Sequence, residues 1–337
     1  MSTVTKVLLA AFVVFGAAAI WFMSHRQTTN LGGADYDFSV KDTASIGKIF
    51  IADRANHSVS LTRNGGYWLV NGKYRTRPTP IRNVLTMLHN VSLKYRLPRA
   101  TVPTAVKDLA TLGIKVEVYN RNNALIKAFY VGGPTPDERA SYMIMEGSNE
   151  PYVACEPLRD ASLSALFFAQ EIEWRDRTIF EEAANDIAEV SVEYPTQKDK
   201  SFRIVSTQNG YDVLPFYASI PKSVAPYKKG SVESYLVGFN KLGAEGFENT
   251  NSHRDSISSM VPFAIVSVKS VKGTTKSVRL HPIVSIDKEG QPIISDMTGK
   301  VVVERYYANC SWGDFMMLQD QLVSKYLMPY QHFFANR

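Results

Sequence analysis

The chain has 337 residues, 45% hydrophobic and 21% charged, which suits two ordinary domains with apolar cores and not a disordered chain. Its net charge of +6 is too mild to imply nucleic acid, and its two cysteines, Cys155 and Cys310, exclude a disulfide scaffold or an all-cysteine zinc site. The histidines are scattered without HxxxH spacing, and no HExxH, GxSxG, P-loop or Rossmann glycine pattern occurs, so no catalytic residue, cofactor or metal is expected.

The chain opens with VLLAAFVVFGAAAIWFM (residues 7–23), free of charge and proline. As a helix it is about 26 Å long, close to the hydrocarbon thickness of a bilayer. Lys6 stands before it and Trp21 near its far end, where amphipathic side chains favour the interface. GAAA at residues 16–19 also suits a cleaved signal peptide, but the apolar run continues beyond it and no cysteine follows to make a lipoprotein. The expectation is a transmembrane signal anchor over 4–24 and a polar tether over 25–42. In a bacterium that would make it a single-pass inner-membrane protein with its bulk in the periplasm.

Beyond the tether, SIGKIFIAD, SVSLTR and GGYWLV read as three short antiparallel strands, with NGG as the turn between the last two. TPIRNVLTMLHNV reads as a helix capped by Thr79, with Pro80 in its first turn. Its apolar face is Ile81, Val84, Leu85, Leu88 and Val91. TAVKDLATLGI reads as a second helix ending at Gly113. IKVEVYN and ALIKAFYVGG form a hairpin around RNN, SYMIMEG and PYVAC extend the sheet, and LRDASLSALFFAQ returns to helix.

Then the pattern restarts. DIAEVSVEY answers SIGKIFIAD, SFRIVS answers SVSLTR, and NGYDVL answers GGYWLV, with Tyr211 set against Tyr67. VESYLVGFNKL answers the first helix, AIVSVKS and KSVRLHPI answer the hairpin strands, RYYANC answers PYVAC, and FMMLQDQLVSKYLM answers the closing helix. This places Cys310 opposite Cys155, where the pair either bonds across the copies or stays as two buried thiols. The second copy has no tryptophan at the place of Trp68 and no counterpart of WRDR. The fold class is α+β: two tandem repeats of antiparallel β-meander plus helices, over 43–182 and 183–337, preceded by one transmembrane helix. Phe333 and Phe334, near the C-terminus, suit closure of the second core.

WLVNGKYRT, IRNVLTMLHNV, YVGGPTPDERASYMIMEGSNEPYVA and EWRDRTIF resemble a bacterial envelope family catalogued as domain of unknown function 4340. The resemblance runs from about Asp42 to the C-terminus and is strongest over the first copy. It implies an anchored extracytoplasmic protein, in some members associated with auxiliary subunits of ABC transporters of the gliding-motility type. The family carries no established catalytic residues, so none is carried over.

Charge supplies the candidate surface. Between Asp53 and Asp108 there is no acid but ten Lys or Arg residues. Surfaces ordinarily mix signs. Arg75, Arg77, Arg82, Lys94, Arg96 and Arg99 therefore either form one positive side or scatter and pair with distant acids. Trp174 and Arg175 of EWRDR read either as a docking surface or, for Trp174, as a plug of the joint between the two copies, with Arg175, Asp176 and Arg177 making local ion pairs. VGGPTPDERASY reads as a hairpin loop, because prolines and acids disfavour a phosphate cradle there.

The functional expectation is a non-catalytic, membrane-anchored scaffold or accessory protein of an envelope complex. Its partners would be the membrane through the N-terminal helix, envelope proteins, and anionic lipid or glycan, with no nucleic acid. The alternatives are an accessory subunit of an ABC-type exporter and a glycan-acting envelope enzyme.

Overall fold

The computed structural model describes residues 35–295 and 299–335. The expected anchor and most of the tether lie outside the described residues. Among the described residues no helix is long and apolar enough to cross a membrane. The chain forms two compact units that divide between Asp176 and Arg177, upstream of Glu182. Both are antiparallel β-sheets with few helices, an α+β architecture that is mainly β.

The first unit begins with β1 (Ile46–Ala52), β2 (Ser58–Asn64), β3 (Tyr67–Val70) and β4 (Tyr74–Arg75). In β1 the buried residues are Ile46, Ile49 and Ile51, a spacing that strict alternation would not give. A register shift at Gly47 restores the phase. Only glycine fits there, since a Cβ would stand 2.6 Å from the Cα of Arg121 and 2.7 Å from the Asn120 carbonyl. Gly65, with φ +58°, turns β2 into β3.

Helix α1 (Pro78–Asn90) follows, then β5 (Ser92–Arg96), α2 (Val102–Leu112), β6 (Ile114–Asn120), β7 (Leu125–Pro134), β8 (Ser141–Met145) and β9 (Tyr152–Cys155). α1 starts after Arg77 and has no side-chain cap, in contrast to the expected cap at Thr79. Pro78 and Pro80 lack N–H groups, so less remains to be capped. The helix buries Ile81, Val84, Met87 and Leu88, about 1.5–3 kcal/mol each as an upper estimate. Leu85 turns partly outward instead of joining that face.

The sheet order is β4-β3-β2-β1-β6-β7-β8-β9-β5. α1 thus joins strands at opposite edges. Nine flat strands would span roughly 38 Å, whereas α1 is about 20 Å long, so the sheet curls around its helix. The expected helix over LRDASLSALFFAQ is a single 3-10 turn, Ser164–Leu166, in an otherwise irregular segment. Leu163, Leu166, Phe167 and Ala169 all enter the core, and that burial outweighs the local preference for helix.

The unit closes with one turn of helix, α3 (Glu171–Trp174), and a strap over residues 174–176. The Arg77 amide donates to the Trp174 carbonyl and the Asp176 amide to the Arg75 carbonyl, both at 2.8 Å.

The second unit contains β10 (Thr178–Phe180), β11 (Ile187–Glu193), β12 (Phe202–Thr207), β13 (Gly210–Pro215), α4 (Ser231–Val237), β14 (Leu242–Gly243), β15 (Gly246–Phe247) and α5 (Arg254–Ser259). It continues with β16 (Ala264–Ser270), β17 (Thr275–Val284), β18 (Val303–Cys310), β19 (Phe315–Gln319) and α6 (Asp320–Val323). Its main sheet runs β13-β12-β11-β16-β17-β18-β19-β15. Without β4, the first sheet reads in the same order.

Detail matches as well. β11 buries Ile187, Val190 and Val192 and shifts register after Ile187, as β1 does after Ile46. The Glu182 amide donates to the Phe239 carbonyl at 3.0 Å, as the Val40 amide does to Leu88 at 2.7 Å. Lys228 donates to the Phe333 carbonyl at 2.8 Å and Ala335 to Pro226 at 2.9 Å, repeating the strap of the first unit.

These pairings correct several expectations. FMMLQ is strand β19, not the start of a helix; an unbroken apolar run has no period to distinguish the two. β18 therefore stands where β8 does and β19 where β9 does. Cys155, ending β9, and Cys310, ending β18, are not counterparts, and both are free thiols. Leu61 pairs with Val70 and Ile204 with Val213, so Tyr211 stands where Trp68 does, not where Tyr67 does. WRDR does have a counterpart: Phe333 and Phe334 occupy the places of Trp174 and Arg175.

Candidate functional site

The first unit holds a hollow of about 440 Å³ beside α1. Its apolar surface comes from Tyr67, Trp68, Ile81 and Leu85, and Arg75 and Arg82 stand at it. β3 and β4 supply one wall: Trp68 is buried, and its carbonyl accepts the amide (2.9 Å) and hydroxyl (3.2 Å) of Thr76. The guanidinium of Arg63 lies over the Trp68 ring at 4.7 Å and that of Arg75 over Tyr67 at 5.6 Å.

α1 supplies the opposite wall through one flank, where Arg82, Leu85, Thr86 and His89 recur at helical spacing. The His89 Nδ1–H donates to the Lys41 carbonyl at 2.8 Å, which fixes the tautomer and leaves Nε2 to accept when the ring is neutral. Among the described residues no aspartate or glutamate lines the hollow. It can therefore hold a ligand with an apolar body and an anionic group; it has no carboxylate for general acid–base work.

The eight residues singled out by charge and aromaticity do not form one surface. Arg75 and Arg82 reach the hollow. Trp174 and Arg175 belong to the strap, and Arg77 bonds to it. Trp174 is fully buried, its indole N–H donates to the Phe168 carbonyl at 2.8 Å, and its ring meets that of Phe168 edge-on at 5.8 Å. Arg175 is also buried, its guanidinium 3.8 Å over the Tyr74 ring. Arg77 donates to the Glu173 carbonyl and lies 3.9 Å from its carboxylate. Trp174 therefore packs within the first unit's own core.

Lys94, Arg96 and Arg99 lie on or just after β5, the opposite sheet edge from β4. Lys94 pairs with Asp137 at 3.1 Å. Hydrogen bonds from Thr135 and then Lys94 hold the Asp137 carboxyl down at about 2. Arg96 sits by the rings of Tyr36 and Tyr152, at 5.7 and 6.0 Å.

Charge counting missed Tyr67, Leu85 and His89. Leu85 was read as part of the apolar face of α1, and neither the place of His89 on its flank nor the approach of the Tyr67 turn was visible.

Among the described residues no group of three or more His, Cys, Asp or Glu is placed to hold a metal ion. The fold and hollow thus define a β-sheet protein with an arginine-bearing cleft. The chain matches the family described as Domain of unknown function (DUF4340) over residues 42–257, and it belongs to that family. The match covers the strands of the first unit and continues into α5 of the second, ending short of the C-terminus to which the resemblance was expected to run. No curated protein matches the chain.

Proposed function

We propose that this protein is a non-catalytic scaffold or accessory protein of a bacterial envelope complex, held to the inner membrane by residues 4–24 with its two units in the periplasm. The anchor rests on the apolar run of residues 7–23. We also infer that the two units arose by duplication. The common strand order, the bulge at the same place in β1 and β11, and the repeated strap hydrogen bonds support this.

The observation that carries the functional reading is the hollow beside α1, apolar in its walls and lined by Arg75 and Arg82, with no carboxylate among the described residues that line it. A glycan hydrolase ordinarily needs two convergent carboxylates. A docking cleft needs an apolar anchor point and charges that select the partner, which these residues supply. Tethering would hold the cleft near an acidic segment of a neighbouring envelope protein and raise its effective concentration.

Affinity purification of the full chain from mild detergent, with mass spectrometry of the retained proteins, tests this against the Arg75→Glu/Arg82→Glu variant. A partner retained at low salt, released at high salt and absent from the variant is expected. The same proteins retained by both forms would overturn the assignment of the cleft.

A further inference from the structure

A second hollow of the first unit, about 340 Å³, is built by three backbone features of the sheet, and it is separate from the cleft that carries the proposed function. Lys48, Thr62, Arg63, Asn120, Arg121 and Asn123 surround it. Lys48 and Thr62 are cross-strand partners. The bulge at Gly47 brings the β6–β7 turn so close that a side chain on Gly47 would strike Arg121. That turn is itself fixed, because the Asn120 side-chain carbonyl accepts the amides of Asn122 and Ala124, both at 2.9 Å. The walls are thus ordered before any ligand arrives.

Its two arginines are held by backbone carbonyls. Arg63 donates to the carbonyls of Ile46 (2.8 Å) and Thr43 (3.0 Å), and Arg121 donates to the Ala44 carbonyl at 3.2 Å. A carbonyl satisfies a donor but carries no compensating charge. Among the described residues neither arginine, nor Lys48, forms an ion pair with a carboxylate. Lys48 rests on the Tyr119 ring at 3.9 Å, and Glu117 nearby is engaged by Lys115 (2.7 Å) and the Tyr119 hydroxyl (2.5 Å).

Four basic residues elsewhere in this unit are paired instead. Lys115, Lys127, Lys94 and Arg139 each have a carboxylate partner within 3.2 Å. Burial, and then the neighbouring Arg121, push Arg63 below the ordinary guanidinium value, as expected of like charges held together. Local arrangements that cost stability without structural return collect at functional sites.

We propose that this hollow binds a phosphate-class oxyanion, a phosphate mono- or diester, with Arg63 and Arg121 as paired guanidinium donors and Lys48 as the third charge. Guanidinium forks match phosphate oxygens, and three cations suit an oxyanion that offers several acceptor oxygens, whether it is singly charged as a diester or more highly charged as a monoester. The anion is either a soluble phosphate or a lipid headgroup.

The test uses the full chain in neutral detergent at low ionic strength. The probes are inorganic pyrophosphate and micelles doped with phosphatidylglycerol or, as control, phosphatidylcholine, followed by titration calorimetry and thermal midpoint. Lys48→Gln and Arg121→Gln remove charge at side chains outside the core, and their unliganded midpoints are expected to stay at or above that of the wild type. Wild type should bind pyrophosphate with a Kd below about 1 mM, or respond to phosphatidylglycerol alone; the first result marks a soluble anion and the second a headgroup. Either response should weaken at least tenfold in both variants and persist in Arg75→Glu. No response to any probe, or equal responses in wild type and the two glutamine variants, overturns the proposal.

Discussion

Replacing Trp174 separates a structural plug from a docking residue. The side chain is fully buried in the first unit's core, donates to the Phe168 carbonyl, and meets the Phe168 ring edge-on. Trp174→Ala should cost about 3–5 kcal/mol. Within that loss the hydrogen bond contributes about 1 kcal/mol and the ring contact about 0.5–1.5 kcal/mol. Trp174→Phe keeps an apolar ring but strands the Phe168 carbonyl, so its cost should be about 1–2 kcal/mol. Urea unfolding followed by tryptophan fluorescence reads this directly, because Trp68 and Trp174 both lie in the first unit's core while Trp312 is exposed. With an m-value of roughly 2 kcal/mol/M, the alanine variant should lower the midpoint of that transition by roughly 1.5–2.5 M and the phenylalanine variant by less than half as much. A midpoint within about 0.3 M of wild type for Trp174→Ala would refute the plug, since substitutions at a free surface usually stay within about 0.5 kcal/mol.

Two further outcomes follow from buried titratable groups in the second unit. His281 is only 5% exposed and its Nε2 has no partner among the described residues; burial first, and then Arg279, lower its pKa below 6.5. The neutral ring is favoured in the folded state, so this group's contribution is intact above about pH 6.5 and is lost as pH falls from there towards the lowered folded value. His281→Phe should flatten the change in thermal midpoint between about pH 7.5 and 5.5, and an undiminished slope would remove His281 as its cause. The Cys310 thiol is pushed up to about 12 by burial and then by Asp314. A thiol-specific reagent should therefore label half-buried Cys155 ahead of Cys310 in the native protein and both after denaturation; equal native rates would contradict the burial.

How much of this could be read beforehand depended on whether the signal was local. The β1–β3 meander and α1 were legible because NGG, the two prolines and an apolar stripe all act within a few residues. β19 was not, because Phe315–Gln319 opens with an unbroken apolar run that fits a buried strand and a buried helix equally. The segment around Leu163 and Phe167 was misread for the opposite reason: its apolar residues suit a helix, but the core takes Leu163, Leu166 and Phe167 from an irregular path. Arg75 and Arg82 were visible as charges, yet their meeting at one hollow depends on a fold that brings Tyr67 to the flank of α1. Arg121 lies outside the acid-free interval altogether, and only the bulge at Gly47 joins it to Arg63.

The strap gives each unit an order of assembly. The partners of residues 174–176 are residues 75–77, so the last piece of the first unit to be synthesised is the piece that seals it. At 5–20 residues per second, roughly 6–25 s separate the synthesis of β1 from that of Trp174. During that interval a curled sheet with an open seam is available to chaperones, and the same delay recurs before Phe333 seals the second unit. A nascent chain of this kind is exposed for most of its synthesis and secured only in the closing moments of each half.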